Sequence, residues 1–121
     1  MPVLTRDFAE QFSRDWIAAW NAKDLDRILA HYRDDFVFHS PFIVAVAGEA
    51  SGRLAGKPAV RAYWEKALAR IERLDFELVD LLAGVDSLTI YYRGHRGMVA
   101  ETFFFDEQGL VRLATACYAN G

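Results

Sequence analysis

The spacing of apolar residues changes once along the chain, and this change constrains the fold more than any other feature. Before Arg73 apolar side chains recur at helical spacing, and the clearest series is Phe8, Phe12, Trp16 and Trp20. After Arg73 they come in short strand-like runs separated by turns rich in glycine and acidic residues. Helices early and strands late are typical of an α+β fold rather than of a βαβ alternation.

Three helices in the first part of the chain follow from these patterns. They are predicted at residues 5–21, 24–32 and 58–73, each preceded or opened by a capping residue or a proline. A turn is predicted at 33–35 and a strand at 36–40, followed at 42–52 by a short strand that leads into a loop. Four further strand-like runs form an antiparallel meander: 76–79, 88–92, 98–105 and 110–118.

Length and composition restrict the class of protein. A chain of 121 residues with 53% hydrophobic content fits one domain, residues 1–121. The net charge of −3 gives no strong attraction to nucleic acid or to an anionic membrane surface, so neither partner is expected. No apolar run approaches the ~20 residues of a membrane span and the start of the chain lacks a leader pattern, so a cytoplasmic location is expected.

The strand at 98–105 is apolar on both of its faces. Val99, Phe103 and Phe105 share one parity, whereas Phe104 and Thr102 share the other. One face of the sheet must meet the helices, and a second apolar face indicates burial against another subunit. The sequence therefore predicts a homodimer formed through the outer face of the sheet.

Four segments resemble a known family, the SnoaL-like polyketide cyclases and ketosteroid isomerases of the nuclear transport factor 2-like superfamily. They are residues 20–26 (WNAKDLD), 32–41 (YRDDFVFHSP), 56–64 (GKPAVRAYW) and 105–109 (FDEQG), so the resemblance covers nearly the whole chain. It implies a cone-shaped roll, also called cystatin-like, in which three helices pack on a curved, mostly antiparallel mixed sheet around an internal pocket. These motifs are specific for the fold and are shared by enzymes and non-enzymes.

A residue-by-residue comparison with the isomerases argues against their reaction. The position of the family's aspartate base, just before the proline, holds Ser40, and the position of its oxyanion-binding tyrosine holds Trp16. A serine without an adjacent base does not abstract a carbon-bound proton. The third position, the family's buried acid that donates a hydrogen bond to the oxyanion, keeps its chemistry, and the resemblance places Glu101 there. It therefore implies the scaffold without steroid isomerisation.

Glu101 and His39 are the candidate acid–base residues. Glu101 interrupts an apolar strand, and burial favours its protonated form; the alternative is an acid at the strand edge or paired with Arg93, Arg96 or Arg112. Strand alternation puts His39 on the face opposite Ser40, so a role in the pocket requires a bulge. No His, Cys or Glu residues recur at metal-ligand spacing, and neither a metal nor another cofactor is expected.

The expected ligand is a hydrophobic small molecule. Glu101, His39 and Ser40 are the predicted catalytic residues, and the predicted pocket-lining residues are Trp16, Trp20, Tyr32, Phe38, Tyr63, Trp64, Phe103 and Tyr118. Two functions are open. The first is a small enzyme that performs acid–base chemistry such as isomerisation, cyclisation, dehydration or hydrolysis, and the second is a ligand-binding or dimerisation module without chemistry.

Overall fold

Four helices pack on a six-stranded mixed sheet in the computed structural model, which describes residues 4–120. This architecture confirms the predicted α+β fold. In chain order the elements are α1 (Arg6–Asn21), α2 (Leu25–Leu29), β1 (Tyr32–His39), α3 (Phe42–Ala47), β2 (Arg53–Ala55), α4 (Lys57–Ala69), β3 (Glu77–Ala83), β4 (Ser87–Gly94), β5 (Gly97–Phe105) and β6 (Val111–Tyr118).

Helix α1 supplies the largest apolar surface for the core. It begins where the Oγ1 atom of Thr5 accepts a hydrogen bond from the Phe8 amide at 3.1 Å, which satisfies one of the free donors of the first turn. Phe12, Trp16 and Trp20 are buried on one side of the helix. The four-residue spacing of the sequence therefore becomes a continuous aromatic stripe against the sheet.

The six strands lie in the order β2-β1-β6-β5-β4-β3. The pairing between β1 and β6 is parallel and every other pairing is antiparallel. Burial alternates along β5: Val99, Glu101, Phe103 and Phe105 are buried, and the residues between them are half-buried. This alternation places Glu101 on the same side of the sheet as the core phenylalanines.

The second helix is shorter than predicted, because residues 30 and 31 form a turn and Tyr32 belongs to the sheet. It ends at Leu29, and Tyr32 is the first residue of β1, where it pairs with Val111. The carbonyl of His31 accepts the Val111 amide at 2.9 Å. Residues 33–35, predicted as a turn, lie within β1, where an irregularity in the register between Tyr32 and Val37 accommodates them.

The segment after Pro41 was wrongly predicted as a strand and is helix α3. Its amides turn back at once, since Ile43 donates to the Ser40 carbonyl at 3.1 Å, and Gly48 ends the helix with a φ of +72°. The following strand β2 pairs with β1 at the edge of the sheet.

Helix α4 also ends before the predicted residue 73, at Ala69. No helix within residues 4–120 is long and apolar enough to cross a membrane.

Candidate functional site

A cavity of about 300 Å³ lies between the helices and the buried side of the sheet. This volume is at the lower end of the range of small-molecule sites. Among the residues that the sequence analysis assigned to a pocket, the structure brings Glu101 together with six aromatic residues in the cavity wall: Trp16, Trp20, Phe38, Tyr63, Trp64 and Tyr118. Ser40, His39, Tyr32 and Phe103 do not line it.

Glu101 is the only buried carboxylate among residues 4–120, with 4% of its surface exposed. Its backbone is fixed in the middle of β5, opposite Ile90 of β4 and Ala116 of β6. The Tyr92 hydroxyl donates a hydrogen bond to Oε1 of Glu101 at 3.3 Å. Burial raises the pKa of Glu101 from 4.5 to about 8, and the hydrogen bond from Tyr92 opposes that rise. At neutral pH the carboxyl group is therefore mostly protonated.

The second oxygen of Glu101 faces the cavity. Oε2 has no hydrogen-bond partner within residues 4–120. An oxygen that lacks a partner and is sealed in the core would be a buried unpaired atom, but in that part of the chain the only such side-chain nitrogen or oxygen is Nε1 of Trp20. Oε2 is therefore not sealed, and it is accessible from the cavity that Glu101 lines. None of the arginines considered as ion-pair partners reaches Glu101: Arg112 pairs with Asp86 at 3.2 Å, and Arg93 and Arg96 form no ion pair in the described part of the chain.

Ser40 belongs to a small group of hydroxyls beside the cavity. Its Oγ lies 3.5 Å from the Tyr118 hydroxyl and accepts the Phe42 amide at 3.3 Å. Burial raises the pKa of Tyr118 and of Tyr63, and a hydrogen bond involving Ser40 opposes the rise in both. No histidine or carboxylate within residues 4–120 hydrogen-bonds to Ser40. Ser40 therefore has no group that would activate it as a base or nucleophile.

His39 lies on the outer side of the sheet, on the opposite face of β1 from buried Phe38. It is opposite Arg53 of β2 and Thr115 of β6. Partial burial and the neighbouring Arg53 charge lower the pKa of His39 from 6.5. The bulge in β1 lies before Val37 and does not turn His39 toward the cavity.

Tyr32 and Phe103 support the cavity wall from behind. The Tyr32 hydroxyl accepts a hydrogen bond from Nε1 of Trp16 at 3.0 Å. The Phe103 ring packs edge-on against Trp16 at 5.3 Å and against Phe12 at 5.1 Å, measured between ring centroids. Both residues therefore fix the orientation of Trp16, which does line the cavity.

Comparison with known proteins assigns the family. The SnoaL-like domain profile matches residues 13–114 of the chain. The chain belongs to the SnoaL-like domain family. No curated protein matches it.

Solved structures agree with this assignment. A SnoaL-like protein of unknown function from Burkholderia thailandensis E264 is 54% identical, with a TM-score of 0.92 over 98% of this chain and 99% of that one. A protein of unknown function with a cystatin-like fold from Methylobium petroleophilum PM1 is 20% identical, with a TM-score of 0.70 over 98% and 80%. An NTF2-like protein of unknown function from Burkholderia pseudomallei K96243 is 14% identical, with a TM-score of 0.74 over 92% and 90%. The last two show the fold alone.

Tyr92, the hydrogen-bond partner of Glu101 in this SnoaL-like protein, was not among the predicted site residues. The register of the β4–β5 hairpin pairs Ile90 with Glu101 and Tyr92 with Val99, so Tyr92 and Glu101 are diagonal neighbours on the buried face. The turn between Gly94 and Gly97 sets this register. Counting back from that turn would have identified the contact.

Several exposed residues that line the cavity of the SnoaL-like protein were also not predicted. Arg70 follows α4, His95 and Arg96 form the β4–β5 turn, and Asn120 follows β6. No sequence pattern connects these segments. Within residues 4–120 there is no group of three His, Cys, Asp or Glu side chains that could hold a metal ion.

Proposed function

We propose that this SnoaL-like protein binds a small, mainly apolar molecule that bears a carbonyl or similar acceptor, and that Glu101 acts on it as an acid. The observation that carries the proposal is a buried, mostly neutral carboxyl group with one oxygen accessible from an aromatic cavity. A neutral carboxylic acid in such surroundings donates a hydrogen bond or a proton. The expected reactions are isomerisation, cyclisation, dehydration or hydrolysis.

The chemistry of Glu101 follows from its two oxygens. Oε1 accepts the Tyr92 hydroxyl, which leaves the proton of the acid on Oε2. That proton points to a ligand acceptor in the cavity, where the apolar walls strengthen the hydrogen bond. Donation to a carbonyl oxygen withdraws electrons from it and activates its carbon toward attack or its neighbouring C–H bond toward deprotonation.

The absence of an activated base beside Ser40 restricts the reaction. With no histidine or carboxylate bonded to Ser40 in residues 4–120, proton abstraction from carbon by Ser40 is not part of the proposal. Reactions that need chiefly an acid fit best, such as loss of a hydroxyl group or cyclisation by a nucleophile within the substrate. His39 is also left out, because it lies on the outer face.

The experiment combines binding with turnover. Cyclic ketones, enones and methyl esters of suitable size are tested for a change in tryptophan fluorescence, since Trp16, Trp20 and Trp64 line the cavity. Compounds that bind are incubated with the protein and followed by mass spectrometry. We expect Glu101→Gln, which keeps the shape but cannot supply a proton, to bind within a few-fold and to lose turnover by a factor of about 10² or more.

The matched control is Glu107→Gln, which alters an exposed glutamate in the turn between β5 and β6. It should keep full turnover. Turnover that survives Glu101→Gln would contradict the acid role, and failure of every carbonyl compound to bind would contradict the cavity as a ligand site.

A second candidate is ligand binding without chemistry. The lack of an activated base beside Ser40 favours it, because Glu101 then has no base bonded to that serine to work with in residues 4–120. In that case compounds bind and shift the tryptophan fluorescence, but none is converted by the wild-type protein. The turnover arm of the same experiment therefore distinguishes the two candidates.

The outer face of the sheet is the proposed homodimer interface. Across β1, β6 and β5 it carries the half-buried apolar residues Val37, Leu113 and Phe104, and on β3 the exposed Leu82. Val37, Leu113 and Phe104 are successive partners across three strands, and an apolar patch of this type is commonly buried by another subunit. The cytoplasmic location stays a prediction.

A further inference from the structure

The mouth of the cavity differs in charge from the protein as a whole. We define the mouth as the exposed residues that line the cavity, which are Ala45, Arg70, His95, Arg96 and Asn120. It contains two arginines and a histidine but no carboxylate. The residues of the mouth therefore carry a net positive charge, whereas the chain as a whole carries a net charge of −3.

The two arginines keep their hydrogen-bond donors available. Neither Arg70 nor Arg96 forms an ion pair within residues 4–120, whereas Arg27, Arg61 and Arg112 do. Each guanidinium group has five N–H donors arranged to match a carboxylate. The mouth therefore offers donors that no protein acid in the described part of the chain uses.

Arg96 is held beside the cavity by two contacts. The side-chain amide of Asn120 donates to the Arg96 carbonyl at 3.0 Å, which ties the β4–β5 turn to the end of β6. The guanidinium carbon lies 6.0 Å from the centroid of the Phe42 ring, and this ring packs on Tyr118 at 4.4 Å between centroids. Phe42 and Tyr118 both line the cavity, so the positive charge adjoins its aromatic wall.

We infer that the cavity takes an amphipathic carboxylate, whose apolar body lies among the aromatic walls and whose carboxylate group lies at the mouth near Arg70 and Arg96. This inference rests on the proposed function, because it names the class of ligand for the same cavity. The apolar interior alone selects for hydrophobicity. The mouth adds selection for one negative charge at the outer end of the ligand.

The dimensions of the cavity suit a ligand with its polar groups at opposite ends. Glu101 lies four residues from Gly97 along β5, which at ~3.3 Å per residue corresponds to about 13 Å between their Cα atoms. A volume of about 300 Å³ holds on the order of ten water-sized groups at ~30 Å³ each. A small ring with a short chain ending in a carboxylate matches this size.

The test compares a carboxylate with its uncharged amide. The probes are 4-cyclohexylbutanoate and 4-cyclohexylbutanamide, which have the same shape, and binding is measured by isothermal titration calorimetry at about pH 7, where the acid is ionised. We expect the carboxylate to bind about ten-fold more tightly, and its advantage to shrink as salt is raised. The double variant Arg70→Gln, Arg96→Gln should bind both probes equally.

Two neighbouring arginines provide the matched control. Arg73 and Arg93 are exposed and do not line the cavity, so the double variant Arg73→Gln, Arg93→Gln removes the same charge three residues away in each case. It should keep the preference for the carboxylate. Equal binding of both probes to the wild-type protein, or a preference that the control loses as much as the Arg70 and Arg96 variant, would overturn the inference and leave the proposed function standing. Failure of both probes to bind would also overturn the inference, whereas the proposed function is decided by the binding and turnover of the carbonyl compounds.

Discussion

The Tyr92 hydroxyl lies 3.3 Å from Oε1 of Glu101 and donates to the one carboxyl group buried in the described part of the chain. Because the donor belongs to β4 and the acid to β5, the hairpin itself sets this distance. The hydrogen bond favours the charged acid and the apolar walls favour the neutral one, and burial has the larger effect. The ionisation of Glu101 is therefore coupled to the stability of the fold.

The first prediction concerns stability against pH. Glutamate has an ordinary pKa of 4.5, which applies in the unfolded chain, and burial raises the pKa of Glu101 to about 8 in the fold. Between pH 4.5 and pH 8 the unfolded chain therefore releases a proton that the folded chain keeps. Stability should fall as pH rises from about 4.5 to about 8, by roughly 5 kcal/mol at most, and then level off. In Glu101→Gln this fall should be absent, so the variant should be more stable than wild type at pH 8.

Urea unfolding followed by circular dichroism between pH 5 and pH 9 measures this difference. Glu107→Gln, at an exposed position, should follow the wild-type curve. Parallel curves for wild type and Glu101→Gln over the whole range would contradict the coupling.

The second prediction concerns the donor. Tyr92→Phe removes the hydrogen bond that favours the charged carboxylate, so the pKa of Glu101 should rise further, by about one pH unit. Tyr91→Phe is the matched control, because Tyr91 is 38% exposed on the other face of the same strand. NMR titration of the Glu101 carboxyl in both variants makes the comparison. A fall in the pKa of Glu101 in Tyr92→Phe would show that the hydroxyl stabilises the neutral acid instead.

The third prediction tests whether ligands occupy the cavity. Ala45 is exposed on α3 and lines the cavity, so Ala45→Trp should place a large ring across the mouth and weaken ligand binding about ten-fold or more. Val44→Trp adds a comparable ring at the neighbouring exposed position, which does not line the cavity. It should bind as wild type does. Affinities are measured by calorimetry, because the added tryptophan would disturb a fluorescence signal. Equal affinities for the two variants would place the ligand outside the cavity.

The fourth prediction concerns assembly. Sedimentation equilibrium at micromolar concentration should give a species of twice the 13.7 kDa chain mass. Phe104→Glu puts a charge in the outer face of the sheet and should shift the protein to the single-chain mass. Gln11→Glu, exposed on α1, should stay dimeric. A wild-type protein that sediments only as one chain would refute the proposed interface.

Most of the fold could be predicted because its signals are local. The four-residue spacing that ends at Trp20 identified α1, and the alternation around Glu101 gave the buried face of β5. Tyr32 was misassigned because its strand conformation depends on pairing with Val111, far along the chain. The helix at Phe42–Ala47 was missed because its apolar run has no period, so tertiary packing of Ile43 decides its conformation.

The site was less predictable than the fold. Its acid and aromatic walls lie at positions where helix spacing or strand alternation points inward. Its exposed lining combines the end of α4, the β4–β5 turn and the residue after β6, and only the completed fold brings Arg70 and Arg96 to one cavity. Predicting the hydrogen bond from Tyr92 requires the register of the hairpin, which the periodicity of apolar residues does not give.

Carbon-detected NMR titration of the side-chain carboxyl measures the ionisation of Glu101 itself. The signal is assigned by its absence from Glu101→Gln. A neutral acid held in the apolar cavity should show a midpoint near pH 8. A midpoint near 4.5 would mean that the carboxyl is charged at neutral pH, and Glu101 would then have no proton to give to a ligand.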